Sequence, residues 1–151
     1  MQRRNFIKNT ALFAAATTIG VPSIAEPIAL KPKIKNSLKI EMVKEVDTIM
    51  DKFKLLKELG YDGVELSSPH EFNHREILEA KQKTGLEIPG VVNSQHWKLP
   101  LSHPDPVIRK QCSDSVITSM NDCKMYGGTT VLLVAGVVNE KISYADAYKR
   151  T

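Results

Sequence analysis

The chain has 151 residues, 42% of them hydrophobic and 25% charged, the make-up of one soluble globular domain rather than of a membrane, collagenous or disordered chain. Its formal net charge of +4 owes much to Arg3, Arg4 and Lys8, which stand in a first stretch without acids. Beyond that stretch bases and acids nearly balance, so no basic patch points to nucleic acid and no acidic run to disorder.

Residues 1–25 read as a leader outside the fold. Arg3-Arg4-Asn5-Phe6-Ile7-Lys8 resembles the twin-arginine export motif, a pair of arginines followed after one residue by an aromatic, an aliphatic and a lysine. The uncharged run behind it, Thr10 to Gly20, is shorter than the roughly 20 apolar residues that span a bilayer, and Ser23-Ile24-Ala25 offers small residues for cleavage. The expected location is the periplasm or another exported site, with no membrane association once the leader is removed. Residues 26–36, with Pro27 and Pro32 among lysines, read as a linker.

Residues 37–43 alternate Leu38, Ile40 and Met42 and predict a first strand. Asp47 to Leu59 predicts a helix with Asp47 as N-cap and Phe53, Leu56 and Leu59 on its apolar face. Gly60 suits the left-handed position after a helix. Val64-Glu65-Leu66 is then a short buried strand, with Glu65 at its end. Asn73 and Glu76 have capping-box spacing and open a second helix that stops at Gly85. Glu87 to Val92 predicts a third strand, and residues 93–103 a long polar and aromatic loop that carries His96 and Trp97.

Ser102 to Asp105, again at capping-box spacing with a proline in the first turn, opens the longest helix. Its predicted buried face is Ile108, Cys112, Val116, Met120 and Cys123, and Gly127-Gly128 ends it. Cys112 and Cys123 are eleven residues apart, roughly 16 Å along a helix axis, too far for a mutual disulfide, and they read as two buried thiols. Residues 129–134 predict a buried parallel strand, followed by a loop and the opening turns of a fourth helix from Tyr144. The unit of helix, glycine and strand recurs at Gly60, Gly85 and Gly127, so strands and helices alternate strictly and predict an α/β parallel sheet with right-handed crossovers.

Three stretches carry a resemblance: Leu55 to Leu66, with Gly60 and Gly63; His96-Trp97 followed by Pro100 to Pro106 and Arg109; and Gly127 to Val138 followed by Tyr144 to Tyr148. In this order and at these distances they resemble the sugar phosphate isomerase/epimerase family with the xylose isomerase-like TIM barrel. The resemblance implies the N-terminal half of a (β/α)8 barrel over residues 37–151, four parallel strands with helices outside. It also implies proton transfer next to a sugar carbonyl, assisted by a divalent metal (Mn, Mg or Zn). The family draws its metal ligands from the last four strands, so the chain is expected to be a truncated, inactive piece that binds no such metal itself.

At the strand ends, Glu65, His96 and Trp97 are expected to contact a sugar or keto-sugar. His70 and His74 are four apart, but His70 lies outside the helix, which argues against a metal pair there. His103 is expected at the surface and Val137 and Val138 in the wall. Open sheet edges are expected to favour self-association. The alternatives are a non-catalytic carbohydrate-binding half barrel and a keto-sugar lyase or hydratase. Replacing Arg3 and Arg4 by Lys should leave the precursor in the cytoplasm on cell fractionation; unchanged export of the variant contradicts the twin-arginine reading.

Overall fold

The computed structural model describes residues 34–151; the twin-arginine motif with Arg3, Arg4 and Phe6, and most of the proposed linker, lie outside the described residues. Four strands, β1 (Ser37–Lys39), β2 (Gly63–Ser68), β3 (Gly90–Asn93) and β4 (Thr130–Leu132), alternate with helices α1 (Ile49–Glu58), α2 (His74–Thr84), α3 (Pro106–Tyr126) and α4 (Tyr144–Arg150). The strands pair in parallel in the order β1-β2-β3-β4, which is the arrangement expected of half a TIM barrel. Among the described residues no helix is long and apolar enough to cross a membrane.

Glycine stops punctuate the units as expected. Gly60, Gly85 and Gly127 all have positive φ, at 84°, 67° and 79°, a region where a Cβ is strained. Asn36, assigned to the linker by composition, already belongs to the sheet: its carbonyl accepts from the N–H groups of Asp62 and Gly63. The caps differ in detail from expectation. Thr48, not Asp47, caps α1 by accepting from Asp51 N–H, and Asn73 caps α2 through Arg75. Asp105 caps α3 with Pro106 just inside, while Ser102 instead exchanges hydrogen bonds with the backbone of Val137. The first strand is cut short because Ile40 to Met42 turn into a 3-10 segment.

Alternation along each strand divides the sheet into two faces. Val64 and Leu66 on β2 and Val91 on β3 point outward into a core with Phe53, Leu56, Ile77 and Tyr126. Leu59, expected in that core, is 65% exposed, because α1 ends one residue earlier and Phe53 and Leu56 fill the space. The register sets Leu66 beside Val91 and Ser68 beside Asn93, so the outward face turns from apolar to polar at the carboxyl ends of the strands.

Helix α3 matches this change. Its buried residues are Cys112, Ser115, Ser119, Asp122, Cys123 and Tyr126; the two cysteines of the expected row are among them, but serines and an aspartate take the places expected of its aliphatic members, and Met120 is 58% exposed. Asn93 donates to Ser115 and Ser119, Ser119 reaches the Ser68 carbonyl at 2.8 Å, and Ser68 donates to Asp122 at 2.6 Å. Buried polar groups need such partners, and here strand ends and helix supply them to each other. Cys112 and Cys123 are free and buried, as read from their spacing.

The inner face is more open. Glu65, Gly90, Val92, Thr130 and Leu132 line a cavity of 260 Å³ there, and Leu132 is 53% exposed. The fourth strand is therefore not the fully buried element expected from its apolar sequence.

Candidate functional site

The carboxyl ends of β1 to β4 bring together Lys39, Glu41, His96 and Trp97. Glu65 is lower: β2 runs on to Ser68, so Glu65 sits mid-strand rather than at its end, on the inner face opposite Val64 and Leu66. It is the register partner of Lys39 and accepts from the Ser37 hydroxyl at 3.4 Å.

Glu41 was not singled out in the sequence, and only its place one turn after β1 explains its position. Where the β1 ladder ends, its Oε1 accepts the Ser67 N–H at 3.2 Å and so extends the pairing to β2. Its Oε2 is buried without a hydrogen bond and lies 3.9 Å from the Lys39 ammonium.

His96 follows β3 and is 2% exposed. Asn93 sets up this turn, because its side-chain oxygen accepts the Gln95 N–H at 3.0 Å while its amide is anchored on α3. The Val134 N–H, beyond β4, donates to His96 Nδ1 at 3.3 Å. The neutral ring therefore carries its proton on Nε2, and Nε2 has no hydrogen-bond partner among the described residues. Burial, and then the charge of Lys39, hold the imidazole below its ordinary value. Trp97 stands edge-on to it at 5.4 Å and is 66% exposed, so the indole is a surface platform rather than a packed plug.

The other expected residues fall elsewhere. His103 lies by the start of α3 and accepts the Asp105 N–H; of the two valines expected in the wall, Val137 is half-buried with its backbone N–H held by Ser102, whereas Val138 is 54% exposed in the loop after β4 and lies outside it. His70 and His74, whose spacing in the sequence argues against a metal pair, are brought together with Asp122, with ligand atoms of the three within 4.8 Å of one another. A helix spacing argument could not find this group, since Asp122 arrives from α3. Among the described residues it is the one cluster of three such donors, and it lies on the outer side of β2, away from His96.

Residues 53–151 match the family model described as xylose isomerase-like TIM barrel. No curated protein matches the chain.

The lowered pKa of His96 makes the stability of the fold depend on pH. An imidazole whose folded pKa lies below the unfolded 6.5 stabilises the fold above that unfolded value, and the contribution is lost as the pH falls through the folded value. Stability measured by urea denaturation should therefore drop more on going from about pH 7.5 to about pH 5 in the wild type than in His96→Gln. Identical pH profiles contradict the assignment of a neutral buried ring.

Proposed function

The chain belongs to the xylose isomerase-like TIM barrel family, and from that premise we propose that it is an exported, sugar isomerase/epimerase-like protein that binds a sugar or keto-sugar at the carboxyl ends of β1 to β3. The observation that carries this reading is the buried His96, held through Nδ1 with its Nε2–H donor unengaged by the described residues. A polyol offers hydroxyls that both donate and accept, and the group around His96 has both kinds of partner. Nε2–H of His96 and the Lys39 ammonium donate; Glu41 Oε2 accepts, and Glu65 further down the strand adds a second carboxylate. The exposed indole of Trp97 suits the apolar face of a sugar ring.

Members of the family commonly use a divalent metal to polarise the sugar carbonyl. The described residues of this inner group do not fit such an ion. Lys39 already lies against Glu41, its charge is felt at His96, and His96 Nδ1 is committed to Val134. These side chains therefore serve binding and orientation rather than metal ligation. That donor set also favours the second reading, a carbohydrate-binding module without chemistry of its own. Export is part of the proposal and rests on Arg3, Arg4 and Phe6 in the leader; self-association through open strand edges rests on the exposure of β4.

Trp97 is the sole tryptophan of the chain, so its fluorescence reports directly on this site. Titration with neutral hexoses and keto-hexoses should change the emission saturably. His96→Ala should weaken the apparent affinity by roughly three- to tenfold, the worth of about one hydrogen bond. For Trp97→Ala, calorimetric titration should show weakened binding at an unchanged melting temperature. If both variants alter only thermal stability, the loop is a packing element and the sugar-binding reading fails.

A further inference from the structure

His70, His74, Asp122 and Tyr126 meet outside the sheet, where the loop after β2 and the first turn of α2 face α3, and none of them takes part in the inner site. The hydrogen bonds fix the proton on His70 and constrain that on His74. Phe72 N–H donates to His70 Nδ1 at 3.1 Å, so the neutral ring carries its proton on Nε2. That nitrogen is 2.9 Å from the Tyr126 hydroxyl, and the same oxygen is 2.5 Å from His74 Nδ1. A phenol oxygen can accept two hydrogen bonds, and burial together with Asp122 keeps Tyr126 protonated. The contact of that oxygen with His74 Nδ1 suits either direction of donation; in the tautomer in which His74 Nδ1–H donates to it, the lone pair of His74 is on Nε2.

That lone pair faces Asp122 Oδ1 across 4.0 Å. The Asp122 side chain is only 8% exposed, and its other oxygen is committed to the Ser68 hydroxyl at 2.6 Å. The gap is too long for a hydrogen bond, yet a buried carboxylate calls for a positive partner. Bonds from a zinc-class cation to nitrogen and to carboxylate oxygen are each about 2.0–2.2 Å, so two of them in a wide angle span it.

We propose that His74 Nε2 and Asp122 Oδ1 hold a divalent transition-metal cation of the zinc class, with Tyr126 and His70 as the outer shell that orients His74. An imidazole that ligates a metal normally donates its other N–H to such a partner. The His74 side chain is 45% exposed, which leaves room for water to complete the coordination. The ion would tie the start of α2 to α3 and is separate from the sugar site, so the two proposals stand or fall independently.

The test is thermal denaturation and calorimetric titration of the full chain with ZnCl2, against EDTA and with MgCl2 as a control. Zinc should bind at one ion per chain and raise the melting temperature saturably, whereas magnesium should not. His74→Ala and Asp122→Asn should abolish both effects while melting cooperatively in EDTA; Asn keeps an acceptor for Ser68, and His74 lies on the exposed side of its turn. His70→Ala should weaken zinc binding by about tenfold, the usual worth of an outer-shell partner. Absence of a zinc-induced shift in the wild type overturns the proposal, as does a shift undiminished in His74→Ala. A wild-type shift in EDTA-treated protein that follows pH alone would assign the gap to a proton on His74 and also overturn it.

Discussion

The contact on which the rest of the molecule depends is the polar seam between α3 and the carboxyl ends of β2 and β3. Ser68 and Asn93 end the outward rows that begin with Val64, Leu66 and Val91, and Ser115, Ser119 and Asp122 meet them. An apolar helix face could not have served here, because the side-chain amide of Asn93 and the hydroxyl of Ser68 would have been stranded at full desolvation cost. Closed in this way, the network sets the height of α3 on the sheet more narrowly than apolar contact would, since hydrogen bonds tolerate little error in distance or direction.

The consequences run in two directions from the seam. Inward, Asn93 uses its remaining oxygen to hold the Gln95 N–H, and the turn so formed delivers His96 to the strand ends with Trp97 beside it. Outward, Asp122 is held by Ser68 in a position where its second oxygen faces His74. One helix thus orders an imidazole donor at the strand ends on one side of the sheet and a candidate cation seat on the other, from serines and an asparagine that carry no chemistry themselves.

Much of this was legible in the sequence and some was not, for physical reasons. Gly60, Gly85 and Gly127 marked the ends of helices because only glycine enters the left-handed region cheaply, and the alternation of elements followed from them. The face of α3 was read only in part: Cys112 and Cys123 are buried, but Val116 and Met120, apolar at helical spacing, gave way to the serines, whose partners Ser68 and Asn93 are separated from them by 22 to 51 residues. Local periodicity does not see such partners. For the same reason the His70, His74 and Asp122 group was missed, and Glu41 could be found only once the early end of β1 was known. Glu65 was placed at a strand end because the apolar run stops at Leu66, while the strand continues through Ser67 and Ser68, whose polarity suits the seam rather than solvent.

The family match gives the xylose isomerase-like TIM barrel as a frame, and what this chain adds to it is a neutral imidazole pre-set by the seam. Long-range proton–nitrogen NMR of the histidine rings tests that claim most directly. At about neutral pH, His96 should appear as the neutral Nε2–H tautomer, with Nδ1 shifted by its bond from Val134, and the Nε2–H signal should move when a bound sugar engages it. A doubly protonated ring, or the Nδ1–H tautomer, would contradict the account.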